Sequence, residues 1–194
     1  MANHSGRAFL MLEYPTVEIY PELIREAQLA VAEKHAEGMP APQVGGGNLT
    51  GYLAELIVYD WLRLLDIPAT YEDASRYDFW VSDRYPVDVK AMRCRSTPKP
   101  SHTAEIFEAS LKYQQPDYFL WVALEDDGPN TLPRRAHIVG GLLYCDFVSL
   151  AHYQKAGDVS PIGYTYKTDR KAVYLSELVP AEALAAEWRK EIRV

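Results

Sequence analysis

The chain has 194 residues, and a prior of roughly 100–200 residues per domain predicts one globular domain. Hydrophobic residues make up 48% of it and charged residues 24%, which argues against an intrinsically disordered protein. The formal net charge of −7 counts, on its face, against a protein that coats nucleic acid or an anionic membrane.

The first 47 residues predict a helical arm followed by a hinge. A helix is predicted over residues 20–37, because Pro21 suits a first turn and apolar residues recur at helical spacing. The stretch from Gly38 to Asn48 contains three consecutive glycines and indicates a hinge or an exposed loop. The chain therefore divides into an N-terminal arm and hinge, residues 1–47, and a globular domain, residues 48–194. The arm is expected to pack on the main body or on another subunit.

The segment from Leu49 to Leu65 is the strongest helix prediction, with apolar residues nearly all the way round, as in a mostly buried helix. Glu55 lies within it, one turn after Gly51, whose missing side chain would allow another backbone to approach closely. A buried carboxylate must be paired, protonated or bound to a cation, since burying it alone is costly. Glu55 is therefore a candidate functional residue. The alternatives are simple pairing to an arginine, or a helix end that is more exposed than the apolar pattern indicates.

Two strand-like runs follow, Tyr77 to Ser82 and Val87 to Met92, and the turn-rich spacer between them predicts a β-hairpin. Because alternate residues of a strand share a face, Asp88 and Lys90 are expected to point together, away from the core. Asp78 can then approach Asp88 across the hairpin. Carboxylates that close repel each other, and a divalent cation such as Mg²⁺ removes the conflict. Routine cross-strand ion pairing is the alternative.

The rest of the chain predicts a mixed α/β domain with a central β-sheet flanked by helices. A helix is predicted over residues 103–115, and the apolar run from Tyr118 to Leu124 predicts a central strand. Ala136 to Tyr144 predicts a further strand, which Gly140 and Gly141 could bulge. The remaining predictions are a mainly helical segment from Cys145 to Lys155, one or two strands within residues 163–175, and a final helix from Pro180 to Ile192.

Other kinds of site find little support in the sequence. The two cysteines, Cys94 and Cys145, have no Cys or His neighbours at zinc-ligand spacing and are expected to be reduced thiols. We find no signal-peptide pattern and no apolar run near the roughly 20 residues that span a bilayer. The expectation is a cytoplasmic protein without a membrane partner.

Glu55, Asp78 and the run Asp88-Val89-Lys90 follow one another in the order and spacing of the PD-(D/E)xK motif. Over roughly residues 48–145 the chain resembles that nuclease superfamily, which implies a restriction-endonuclease-like fold: a helix carrying the Glu packs against a mixed sheet. One departure is Tyr77, which stands where the motif has its proline.

This resemblance implies a metal-dependent nuclease that hydrolyses DNA phosphodiester bonds. Asp78, Asp88 and the carbonyl of Val89 would ligate Mg²⁺ or Mn²⁺, and Glu55 would ligate a second ion or hold a water. Lys90 would position the attacking water or offset charge on the phosphate. The alternatives are a non-catalytic or assembly protein of the same fold with an inert acidic cluster, and an enzyme acting on a nucleotide or another small phosphate ester.

The negative charge is unevenly distributed. The segment from Arg84 to Lys99 is basic and is a candidate for contact with the DNA backbone; its basic residues are Arg84, Lys90, Arg93, Arg95 and Lys99. Its alternative is a solvated strand edge protected by charge. Trp80 is expected on the same face as Asp78, where its ring could stack on a base.

Cutting both strands needs two active sites, so a dimer or larger homo-oligomer is expected. By analogy with the family, a prokaryotic or viral accessory nuclease is expected, working in a prokaryotic or virus-infected host cell.

Overall fold

The structure, a computed structural model, describes residues 9–11, 14–36, 47–72, 76–128, 131–160, 163 and 165–190. Within them, a large mixed β-sheet carries helices on one face and a smaller sheet on the other. The prediction of a mixed α/β fold with a flanked central sheet is therefore confirmed. None of the helices described here is long and apolar enough to cross a bilayer.

Two short strands and two long helices open the chain: β1 (Phe9–Met11), β2 (Pro15–Glu18), α1 (Pro21–Ala36) and α2 (Gly47–Leu64). Both predicted helices are confirmed to within two residues at each end. Most of the predicted hinge lies outside the described residues, and its last two residues begin α2. Since β2 pairs with the large sheet and α1 packs on α2, the N-terminal segment packs on the main body, the first of the two expected arrangements.

The predicted hairpin is present, preceded by a short strand that pairs with it. The three strands are β3 (Ala69–Tyr71), β4 (Phe79–Val81) and β5 (Tyr85–Cys94). β4 and β5 are antiparallel, with Phe79 opposite Val87. Ser82 and Asp83 make the turn with left-handed backbone angles, φ 54° and 52°. Such a turn matches the twist of the two strands and brings them back alongside each other.

The second half of the chain confirms the predicted strands near 118–124 and 136–144 and the final helix. Within 145–155 the helical prediction is wrong after Leu150, because the residues that follow pair with a later strand. The elements are β6 (Thr103–Phe107), α3 (Glu108–Leu111), β7 (Tyr118–Glu125), β8 (Arg135–Leu143), α4 (Tyr144–Leu150), β9 (His152–Gln154), β10 (Arg170–Tyr174), β11 (Val179–Pro180) and α5 (Ala181–Lys190).

The helix predicted over residues 103–115 is wrong, because this segment holds the strand β6 and the single helical turn α3. Ala104 and Ile106 are buried while Thr103 and Glu105 are half-exposed, the two-residue alternation of a strand. β6 pairs along its whole length with β10. Pairing with a strand distant in the chain therefore outweighs the helical spacing that suggested a helix.

Two sheets and a helical layer organise the core. In the described part of the chain, the main sheet has eight strands in the order β1-β2-β8-β7-β5-β4-β3, with β11 added to β8, and the second sheet has the order β6-β10-β9. β5 and β7 run parallel. The helices α1, α2 and α5 cover the face of the main sheet that carries Val87 and Val89. The second sheet covers the opposite face, which carries Phe119 and Trp121.

The bulge predicted at Gly140 and Gly141 is confirmed beside Gly140, because Trp121 pairs with Gly140 and Val122 with Ile138, so that the register skips Val139. Gly140 has a φ of +146°, and a Cβ there would lie 2.3 Å from the carbonyl oxygen of Val179. We expect Gly140→Ala to lower the free energy of unfolding by about 2–4 kcal/mol, since strain and overpacking add. Urea denaturation measures the change.

The matched control is Gly51→Ala in α2. The close backbone approach expected at Gly51 is wrong, because nothing lies within 4 Å of a Cβ built there. Alanine at an open helical position is expected to stabilise by roughly 0.5–1 kcal/mol. Equal effects of the two substitutions would contradict the explanation of the bulge.

Candidate active site

The carboxylate of Asp78 is held just before β4 by the backbone of the neighbouring strand. Its Oδ2 accepts a hydrogen bond of 2.7 Å from the N–H of Val89, and the N–H of Asp78 donates to the carbonyl of Val87 at 3.0 Å. The N–H and C=O of one strand residue point to the same side, so the Val89 carbonyl also faces Asp78. A carboxylate and a main-chain carbonyl therefore share this edge of the hairpin.

Asp88 lies on the next strand and is almost completely buried, with 2% of its surface exposed. Burial raises the pKa of Asp88 to about 7; the Lys90 ammonium opposes the rise, and the nearby Asp78 carboxylate adds to it. Lys90 Nζ lies 2.5 Å from Asp88 Oδ2. Within the described residues, Oδ2 has no hydrogen bond of good geometry. A buried carboxylate oxygen in this state, beside a second carboxylate, fits a cation ligand.

Lys90 has two further neighbours, and sequence reasoning missed both of them. Its Nζ donates a hydrogen bond of 2.9 Å to Gln114 Oε1 and lies 5.8 Å from the centre of the Phe119 ring. Phe119 is the register partner of Asp88 in the parallel pair of β5 and β7. The apolar run of β7 was visible in the sequence, but its pairing partner was not. Gln114 belongs to no motif, and no local signal marks it.

Glu55 is half-buried on α2 and approaches from the helical layer. The pKa of Tyr71 is raised above its usual range, first by burial and then by the charges of Glu55 and Asp78. The Tyr71 ring packs at 4.5 Å from that of Phe79, whose side chain is buried on the helical face. The structure therefore brings Glu55 and Asp78 near one phenol. Asp78 also lies beside Asp88, which points with Lys90 to the face opposite Val87 and Val89.

One of the predicted DNA contacts is already engaged within the protein. Arg93 Nε forms an ion pair of 2.6 Å with Asp126 Oδ2, and its guanidinium donates to the carbonyls of Gly128 and Thr131 at 3.0 Å. These contacts close the loop between β7 and β8, so the geometry favours a structural role. Arg84, Arg95 and Lys99 are exposed.

Trp80, the predicted base-stacking residue, is half-buried and packed by its neighbours. Its indole N–H donates to Glu72 Oε2 at 3.0 Å, and its ring meets the edge of the Tyr77 ring at 5.4 Å. It alternates with Phe79 and so lies on the same face of the hairpin as Asp88. The ring therefore has fixed partners on the face of Asp88.

In the part of the chain that the structure describes, no three His, Cys, Asp or Glu side chains are grouped to hold a metal ion. Magnesium often needs fewer, because it keeps several waters and contacts one or two carboxylates plus a substrate phosphate. Asp78, Asp88 and the Val89 carbonyl fit such an incomplete shell.

No protein-family model matches the sequence, and no curated protein matches it.

Proposed function

We propose that this protein is a metal-dependent nuclease that hydrolyses DNA phosphodiester bonds on a restriction-endonuclease-like fold. One observation carries the proposal: buried Asp88 lies beside both Asp78 and Lys90 at one edge of the hairpin. Buried ion pairs are weak contributors to stability and are often replaceable by apolar residues. A buried carboxylate with a strongly shifted pKa, next to a second acid, is therefore better explained by function.

The order of the elements supports the fold in this proposal. α2 carries Glu55 over the sheet, β4 and β5 form the hairpin with the acidic residues, and the apolar strand β7 runs parallel to β5. One departure is the crossover from β5 to β7. It contains β6 and the one-turn helix α3, where the resemblance implies a longer helix.

Each side chain has a role that its surroundings support. Asp78, Asp88 and the Val89 carbonyl would hold Mg²⁺ or Mn²⁺, and a bound ion supplies Lewis acidity and a water of lowered pKa. Lys90, a mobile point charge beside Asp88, would contact a phosphate oxygen or orient the attacking water. Glu55 would hold a water, or a second ion, on the helical side of Asp78.

Lys90→Ala is expected to slow cleavage by about 100-fold, the usual effect of removing one group that stabilises transition-state charge. The assay follows plasmid and single-stranded DNA with Mg²⁺ or Mn²⁺. Lys190→Ala is the matched control, because Lys190 is exposed on α5 in the layer behind the sheet. Absence of cleavage by the wild type with either metal, or equal rates for wild type and Lys90→Ala, would refute the proposal in favour of an inert cluster.

A further inference from the structure

The face of the main sheet that carries Lys90 opens into a cleft beneath the second sheet. The cleft has a volume of about 1150 Å³, with residues 90–96 on one wall and β6 and β10 on the other. Protein pockets for small ligands typically measure about 300–1,000 Å³. Lys90 contacts Asp88 and also lines the cleft. A molecule bound there would therefore extend from the acidic site.

Two buried polar atoms of the described part of the chain line this cleft without a hydrogen-bond partner. Across the described residues, four buried side-chain polar atoms lack a hydrogen bond of good geometry: Asp88 Oδ2, Trp121 Nε1, Gln154 Oε1 and Trp188 Nε1. Trp121, 1% exposed, and Gln154 both line the cleft. Buried polar groups are nearly always paired, because leaving one unpaired costs about 1–3 kcal/mol. A donor and an acceptor left unpaired on the walls indicate a polar ligand.

The charge of the lining favours an anion. Lys90, Arg93, Arg95 and Arg170 line the cleft with two carboxylates, in a chain whose net charge is −7. Lys90, Arg93 and Arg170 form ion pairs with Asp88, Asp126 and Glu105. Arg95 is exposed and has no ion-pair partner among the described residues. This local excess of positive charge would attract a phosphate backbone.

Flat groups on the far wall favour a planar ligand. The Arg170 guanidinium lies 5.3 Å from the centre of the Phe107 ring and 4.7 Å from that of the Tyr166 ring, and both rings line the cleft. Nucleobases stack on aromatic rings and on arginine planes. In a duplex the Watson–Crick edges are paired and the base faces are stacked, so only an unpaired base could both stack on these rings and offer its Watson–Crick edge to Trp121 and Gln154.

We propose that this cleft binds an unpaired DNA strand adjoining the scissile phosphate, so that single-stranded DNA is the substrate. The proposal rests on the proposed nuclease function for its placement beside the scissile bond. Binding itself needs no catalysis, since the unpaired atoms of Trp121 and Gln154, the cations and the rings all line the cleft.

The test measures fluorescence anisotropy in EDTA, with labelled oligodeoxythymidylate of about 12 nucleotides, its duplex with oligodeoxyadenylate, and oligouridylate. We expect the single DNA strand to bind about tenfold more tightly than the duplex. Arg95→Gln should weaken that binding about three- to tenfold, and Trp121→Phe, which removes only the indole N–H and part of the ring, about fivefold. Arg25→Gln, an equal charge change on exposed α1 behind the sheet, should leave binding within about twofold.

Preference for duplex or RNA, absence of binding, or equal effects of Arg95→Gln and Arg25→Gln would each overturn the inference. Arg95 is exposed, so its variant keeps the test valid even where Trp121→Phe fails to fold. A wild type that cleaves DNA without preferring single strands refutes the cleft alone. Strand-selective binding without cleavage refutes the nuclease and leaves the cleft standing.

Discussion

Asp88→Asn is expected to abolish DNA cleavage and, at the same time, to make the metal-free protein more stable. The loss of activity follows from the role of Asp88 as a proposed ligand, since an amide binds a hard divalent cation far less well than a carboxylate does. Metal ions contribute several kcal/mol to phosphoryl transfer, and about 4 kcal/mol corresponds to about a 10³-fold loss in rate.

The gain in stability follows from the burial of the Asp88 carboxylate. Burial raises its pKa from 3.8 to about 7, with Asp78 adding to the rise and Lys90 opposing it. A carboxylate whose pKa is higher in the folded state makes folding less favourable as the pH rises from about 4 to 7, and the whole cost is present above pH 7. Asparagine carries no charge at any of these pH values, so the variant avoids that cost.

Melting temperatures in EDTA at pH 8 test the stability half of the prediction, with about 2–4 °C expected for each kcal/mol gained in a chain of this size. Asp83→Asn is the matched control, because Asp83 is exposed in the turn of the same hairpin and asparagine tolerates its left-handed backbone. An Asp88→Asn variant that is both inactive and less stable would mean that Asp88 serves chiefly as the structural partner of Lys90.

The elements that sequence reasoning predicted well are those whose pattern is set by their own burial. β7 is buried at all eight positions, and an unbroken apolar run of that length indicates a strand in the middle of a sheet. In β5, the two-residue alternation predicts Val87 and Val89 on one face of the sheet and Asp88 on the other, and the structure confirms this arrangement. α1 and α2 likewise carry apolar residues at helical spacing.

The elements that sequence reasoning missed depend on partners far away in the chain. β6 is a strand because β10 pairs with it, and the short stretch from Thr103 to Phe107 allows either structure on local grounds. β9 is a strand for the same reason. Neither pairing leaves a trace in the local sequence, so the second sheet, and the cleft beneath it, could not be foreseen.

The candidate site divides in the same way. Asp78, Asp88 and Lys90 were found because a hairpin joins them through a few residues, and local alternation then decides which side chains meet. Gln114 and Phe119 complete the surroundings of Lys90 through the crossover and the parallel pairing of β5 with β7. Those contacts need the register of two strands, which the sequence does not state.

A second buried acid, Glu125, holds the main sheet together rather than forming a site. It is 3% exposed and accepts hydrogen bonds from Arg134 at 2.8 Å and from His137 Nε2 at 3.1 Å. The other ring nitrogen of His137, Nδ1, lies 2.9 Å from the hydroxyl of Thr16 on β2. A neutral imidazole with its proton on Nε2 donates to Glu125, and its Nδ1 then shares the single hydroxyl proton of Thr16 with the Tyr14 carbonyl, 2.9 Å from Thr16 Oγ1. This network ties the N-terminal strand β2 to β8 and to the end of β7.

The pKa shifts in this network make folding weaker in acid. Burial would raise the pKa of Glu125, but hydrogen bonds from Arg134 and His137 outweigh it and hold the pKa below 4.5. Burial lowers the pKa of His137 below 6.5, against the opposing effect of Glu125. A lowered pKa means that each group favours the folded state at higher pH. The contribution of His137 declines as the pH falls below about 6.5, and that of Glu125 declines below about 4.5.

Glu125→Ala is therefore expected to lower the free energy of unfolding at pH 7 by about 3 kcal/mol, the low end for a broken buried ion pair because Arg134 is half exposed and can be rehydrated. Urea denaturation from pH 8 down to about pH 3 measures the change, so that the series passes below the lowered pKa of Glu125. Glu33→Ala on the exposed face of α1 is the control, expected within about 0.5 kcal/mol of wild type. The difference in the free energy of unfolding between wild type and Glu125→Ala should become smaller as the pH falls below about 4.5, since protonation then removes the same charge from the wild type. A gap that stays constant down to pH 4 and below would show that Glu125 acts through packing and not through its charge.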